Sequence, residues 1–353
     1  MTTLAGAREA SGTGGWRPPW LGRLSWVTWR QHRATLIGLA GFAALIAAVE
    51  LVSGIRVHSL WDSAVRDGCV NPTNWAGPCR PLLSPFDVGW PLSYGYDLGQ
   101  LLALLPIAIG MFLGAPLLAR EYASHTTRFA WTQGAGRTRL TVTKVVLLGL
   151  AVLVVAAVMG WLGQWSMQPI ITLSSGGFDR WQPGLFVTAP VTEAAAATLA
   201  YAFGLLAGVV TRRVVPAIAA TAVATLALAL LTYSRLHYWL LGLGLRQGAD
   251  PAMGANPNVG YSGNRFDLHE VSGGRWLDQG WYAGPGGHRL SDTLAGKLVA
   301  NPGLQAQLHT TFQVTWQPAG RYWLFQFSQG GAEVLAALLL GALAIWLVRR
   351  RKA

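Results

Sequence analysis

LGQLLALLPIAIGMFLGAPLLA occupies residues 98–119, and Arg120 and Glu121 follow it at once. These 22 residues carry no charge. As a helix rising 1.5 Å per residue they reach about 33 Å, enough to cross a hydrocarbon layer about 30 Å thick. In that layer no backbone N–H or C=O can be left without a partner, so the run is read as a transmembrane helix. Pro106 predicts a kink in it. Gly110 and Gly114, four residues apart, predict a face for close packing against another helix.

Five further runs pass the same test: Ala34 to Ser53, Val145 to Met167, Glu193 to Thr211, Val214 to Tyr233 and Gln329 to Val348. Gly204 and Gly208 repeat the four-residue spacing in the fourth span. Of the 353 residues 52% are hydrophobic and only 12% are charged, too little polar surface for a soluble globule of this size. The fold class expected is therefore an all-α integral membrane protein with six transmembrane helices. A net charge of +12 would suggest nucleic acid in a soluble protein. Here the cations gather at the ends of apolar runs, where anionic headgroups attract them, and nucleic acid is not an expected partner.

The basic residues orient the spans. Segments 1–33, 120–144, 211–213 and 349–353 hold 16 Lys and Arg against only Glu9 and Glu121. Segments 54–97, 168–192 and 234–328 are much longer, yet hold 11 basic residues nearly balanced by ten acids. Lys and Arg are retained on the cytoplasmic side, so both termini are expected there. Arg212 and Arg213 are read as a tight cytoplasmic hairpin, with Pro216 in the first turn of the fifth helix. The Gly-, Arg- and Trp-rich start does not resemble a cleavable signal, so the first span is expected to stay in the mature protein. The chain then divides into a cytoplasmic N-terminus (1–33), five spans (34–233) with an internal cytoplasmic segment (120–144), an external segment or small ectodomain (234–328), and a sixth span with a basic cytoplasmic tail (329–353).

Cys69 and Cys79 are the only cysteines, and both fall in the first external segment, within a loop-like stretch rich in Pro, Asn and Trp. An oxidising exterior favours a disulfide between them over two free thiols. His237, His269, His288 and His309 are scattered without ligand spacing, and no metal site is expected. No GxxxxGK[ST] loop occurs, so the chain is not expected to bind ATP, and neither HExxH nor GxSxG is present to support an enzyme. No catalytic residue is assigned.

Three acids lie inside or at the rim of spans, all towards the outer face: Glu50, Glu193 and Glu333. The span boundaries put Glu193 and Glu333 in the first turns of their helices, where a carboxylate suits the positive end of the helix dipole. Glu50 is the stronger functional candidate, with Arg56 as a possible ion-pair partner. The segment Arg120 to Lys144, REYASHTTRFAWTQGAGRTRLTVTK, supports two readings. Arg120 to Trp131 is either a short helix that docks a cytosolic partner or a basic anchor among the headgroups.

Four stretches, WVTWRQHR (26–33), GQLLALLPIAIGMFLGAPLLARE (99–121), RFAWTQGAGRTRLTVTK (128–144) and QPAGRYWLFQ (317–326), together resemble permease subunits of ABC-2-type ABC transporters, particularly the actinobacterial kind. The resemblance implies an amphipathic helix on the cytoplasmic surface over Leu21 to His32. It also implies that Arg120 to Trp131 couples to an ATPase, with Arg120, Glu121, Arg128 and Trp131 as the contact residues. Along the substrate path it implies, Glu50, Gln100 and Gln164 are the candidate contacts. The expected protein is a non-catalytic, multi-pass permease subunit of an ABC exporter in a bacterial plasma membrane. It would move a hydrophobic drug, lipid or peptide and pair with a second copy or a sister permease. A separate P-loop ATPase subunit would bind ATP and Mg. The large external segment departs from compact exporters of this kind and leaves a second reading, a membrane-anchored enzyme or sensor acting through residues 234–328. A secondary transporter fits less well, because there is no repeated pair of broken helices.

Overall fold

A computed structural model describes residues 19–69, 101–123, 137–173, 180–181, 183–232, 243–249, 266–272 and 275–350. Six helices are long and apolar enough to cross a membrane, and they coincide with the six runs read from the sequence. The first span is α1 (Pro19–Arg66). The second is built from α2 (Leu105–Ile109), a π-helical turn (Gly110–Gly114) and α3 (Ala115–Ala123). The third is α4 (Arg137–Leu173), and a short α5 (Pro183–Val187) leads into the fourth, α6 (Pro190–Thr211). The fifth is α7 (Val214–Leu231), and the sixth, which closes the described chain, is α10 (Tyr322–Arg350).

Helix α1 is longer than the expected span at both ends. Its 48 residues rise about 72 Å, more than twice the thickness of a hydrocarbon layer. The stretch Leu21 to His32, expected as an amphipathic helix, is helical and runs without a break into the first span, since no Gly or Pro lies between Arg23 and Ile37. Beyond Ser53 the helix continues because one face is buried. Gly54, Val57 and Ala64 turn inward, and His58 stacks on Trp165 of α4 with ring centroids 4.7 Å apart.

The second span is irregular near Pro106, as the sequence predicts. A turn at Ala103–Leu104 precedes the proline, which enters α2 in its first turn, where a missing N–H leaves no bond unmade. The π-helical turn follows over Gly110–Gly114. This region lies against α6, the central helix, which packs on the second, third, fifth and sixth spans. The two glycine pairs make the crossing. A Cβ on Gly110 would stand 2.7 Å from the carbonyl oxygen of Ala200, and one on Gly208 would stand 2.6 Å from that of Ala115. Any side chain at these positions would force the helices apart.

Helices α6 and α7 are joined by Arg212 and Arg213 alone, the tight hairpin the Arg pair predicts. Arg212 ends α6 in the left-handed conformation, φ 57°, and its N–H donates to the carbonyl of Gly208. Large apolar side chains cover the outside of the bundle: Val215 is 77% exposed, Leu338 65% and Leu45 63%. Lipid is the solvent that such a surface requires.

The segment between the fifth and sixth spans is not helical throughout, and here the fold goes beyond the all-α expectation. It contains β1 (Arg246–Ala249), β2 (Phe266–Ser272), β3 (Arg275–Ala283), α8 (Asp292–Ala300), α9 (Pro302–Gln307) and β4 (Thr311–Gln317). The strands form one antiparallel sheet in the order β1-β4-β3-β2. Tyr282, Ala295, Leu298, Phe312 and Val314 give this unit a small core of its own, with the Tyr282 and Phe312 rings edge to face at 5.0 Å.

The sheet is tied to the bundle through the start of the sixth span. Gln317 donates to the carbonyl of Leu243 at 2.7 Å, and Arg321 donates to the carbonyl of Gly244 at 2.5 Å. Arg180 donates to the carbonyl of Ala319 at 3.1 Å and lies over the Tyr322 ring. Trp181, Phe186, Tyr322 and Phe325 fill the space beneath. The stretch QPAGRYWLFQ is thus the joint between sheet and bundle.

Candidate functional site

Two groups of polar side chains meet at neighbouring levels of α6 and α10 within the apolar bundle. Gln326, Gln329 and Glu333 are spaced three and four apart, which puts them on one face of α10, and that face meets the start of α6. The approach is close, since a Cβ on Gly330 would stand 2.8 Å from Cγ1 of Val191.

The first group is hydrogen-bonded throughout. Thr192 donates its hydroxyl to the carbonyl of Phe186 at 2.6 Å and lies 3.1 Å from Oε1 of Gln326. Gln326 Nε2 donates to the same carbonyl at 2.9 Å and lies 3.3 Å from the Tyr322 hydroxyl. Both residues are fully buried. A buried network with its members satisfied fixes helix register, and this one holds α5, α6 and α10 together.

The second group, one to two turns further along α10, is not satisfied. Glu193 is 1% exposed and Gln329 4%. Gln329 Nε2 donates to Oε1 of Glu333 at 3.0 Å. Oε1 of Glu193, Oε1 of Gln329 and Oε2 of Glu333 are buried, with no hydrogen-bond partner among the described residues. Glu193 and Glu333 are within electrostatic reach of each other. All three side chains line a cavity of about 540 Å³ bounded by α2, α6, α7 and α10. Most of its wall is apolar, from Leu104, Pro106 and Ile107 on one side to Leu226, Leu228 and Leu230 on the other. Thr225 and Thr232 also line it, and no Lys, Arg or His does among the described residues.

Glu333 does not stand in a first turn as the span boundary suggests. The sixth helix begins at Tyr322, so Glu333 lies about three turns inside it and is not placed by a helix end. The extra turns form because Trp323, Leu324 and Phe327 continue the apolar outer face. Glu193 does sit in the first turn of α6.

Glu50 lies elsewhere, between α1 and α4. It is 1% exposed and accepts a 2.7 Å hydrogen bond from Ser166, while its Oε1 has no partner among the described residues. Gln164 faces a separate narrow crevice beside Arg180 and Tyr322. Gln100 lies outside the described residues. Sequence reading passed over Gln326 and Gln329. Their signal was present as three amide or acid side chains at helical spacing in an apolar span, a pattern that is costly in lipid unless the face is covered.

At the opposite end of the bundle, Arg120 is exposed near the end of the second span. Glu121 is in α3, with its side chain outside the described residues, and Arg128 and Trp131 lie outside them altogether. Tyr122 receives the guanidinium of Arg212 over its ring at 5.8 Å, which joins the end of the second span to the α6–α7 hairpin. Cys69 is buried and carries no free thiol, and Cys79 lies outside the described residues.

A family model described as ABC-2 membrane transporter related matches residues 40–236, more than half of the chain and almost all of its first five spans. No curated protein and no solved structure matches the chain. The sheet and the sixth span lie outside the matched residues.

Proposed function

The chain belongs to the ABC-2 membrane transporter related family, and from that premise we propose that it is the transmembrane permease subunit of an ABC exporter in a bacterial plasma membrane. The observation that carries the reading is a family match across five spans in a sequence with no nucleotide-binding loop. A permease of this kind needs ATP and Mg to be bound on a partner chain, and a second permease, identical or related, to complete the path.

The basic residues at the Arg212–Arg213 hairpin, at Arg120 and at Arg349–Arg350 favour a cytoplasmic location for that end, with the sheet outside. Arg120 to Trp131 is then the segment that receives the ATPase, and motion there reaches the hairpin through the contact between Tyr122 and Arg212. The cavity beside Glu193 and Glu333 is our candidate for the substrate path, since it carries polar side chains within an apolar wall and is bounded by four of the six spans.

Co-expression with an ATPase encoded beside this gene, followed by purification through a tag on the permease, tests the reading. The expected result is a stoichiometric complex that turns over ATP and moves a substrate across vesicle membranes. An ATPase that neither co-purifies nor supports transport would count against it.

A further inference from the structure

The carboxyls of Glu193 and Glu333 share an apolar cavity that presents no cationic side chain among the described residues. Two carboxylates in low dielectric repel each other, and each is costly to hold ionised without a counter-charge. Beside them Gln329 offers a buried amide oxygen that also lacks a donor. An acceptor-rich, donor-poor lining is complementary to a ligand that brings positive charge or N–H donors. The contrast with Thr192 and Gln326, whose bonds are made within the protein, separates this cluster from one that merely fixes helix packing. The remaining wall is hydrocarbon, and the volume of about 540 Å³ falls within the roughly 300–1,000 Å³ of small-molecule sites.

We propose that this cavity takes a lipophilic organic cation, its charge centre held by Glu193 and Glu333 and its apolar groups packed between α2 and α7. An inorganic cation would leave the hydrocarbon wall unfilled, and a neutral lipid would leave the carboxyls uncompensated. The inference deepens the reading of the cavity as substrate path and rests on it.

The test is binding of tritiated tetraphenylphosphonium to the purified full-length chain in nanodiscs, with empty nanodiscs subtracted. Saturable binding is expected in the wild type. The double variant Glu193→Gln/Glu333→Gln should weaken it about tenfold or more, as expected when a buried charge partner is lost. Ala196→Trp, which fills the cavity, should abolish it. Neutral triphenylphosphine oxide should compete at least about tenfold less well than the cation.

Thermal melting of each variant establishes that it is folded. If the variants do not fold, the comparison of cation with neutral probe on the wild type still decides. No saturable binding, equal binding by a folded double variant, or equal competition by the neutral probe overturns the proposal. Because the assay needs no ATPase, those results leave the permease reading standing. That reading fails separately, through absence of ATPase recovery and transport.

Discussion

A Cβ placed on Gly114 would stand 2.5 Å from the carbonyl oxygen of Tyr201, so the second and fourth spans touch backbone to backbone. The same is true one turn earlier, where Gly110 meets Ala200. Contacts this close leave no room for a side chain where these two helices cross.

Gly114→Val and Gly204→Val should therefore cost about 1–3 kcal/mol or more through overpacking, and lower the melting temperature and the monodisperse yield of purified protein. Gly331→Val serves as the control, because nothing lies within 4 Å of a Cβ at that position. Equal melting of all three variants would show that the crossing is looser than described.

Ser166 is the hydrogen-bond donor described for Glu50, and both residues are buried. Ser166→Ala leaves a carboxyl between α1 and α4 with neither oxygen paired and should destabilise the protein by about 1–3 kcal/mol. Adding Glu50→Leu to that variant should restore much of the loss, since an apolar pair of similar shape carries no unmet hydrogen bond. Thermal unfolding of the two variants measures both effects. A Ser166→Ala protein as stable as wild type would mean that Glu50 is compensated in another way.

The orientation proposed from the basic residues predicts opposite accessibility for Thr138→Cys and Ser262→Cys, each made in a background lacking Cys69 and Cys79. An impermeant maleimide applied to whole cells should label the second and spare the first until the membrane is opened. Labelling of both from outside would overturn the six-span arrangement.

Glu121 and Arg128 are seven residues apart, a spacing that shares one face if the helix of the second span extends through them. Reversing both charges should leave membrane insertion unchanged, because the proposed topology keeps the segment out of the bilayer. ATPase recovery should fall, or ATP turnover should persist without transport. Full transport with normal ATPase recovery would reduce the segment to an interfacial anchor.

The parts of this protein legible from sequence are those that depend on a local sum. A span is recognised because each apolar residue adds its own transfer free energy, and the total needs no knowledge of neighbours. Arg212 and Arg213 could be placed in a hairpin because two guanidinium groups are costly anywhere else between two apolar runs. The glycine spacing at 110/114 and 204/208 announced two packing faces because small residues four apart lie on one side of a helix.

What the sequence by itself determined is the number of spans, the apolar run at the centre of each, and which residues would carry charge at membrane depth. Only the tertiary structure decided which of those charges is compensated. Ser166 reaches one oxygen of Glu50 and Gln329 one oxygen of Glu333, while Oε1 of Glu193 has no donor among the described residues, a difference set by how the helices are rotated against each other. That rotation is fixed by many weak contacts, Gly330 against Val191 among them, between segments far apart in the chain. The sheet was hidden for the same reason. Pairing β1 with β4 joins Arg246–Ala249 to Gln313–Trp316, and an interaction between segments so distant leaves no local periodicity to read.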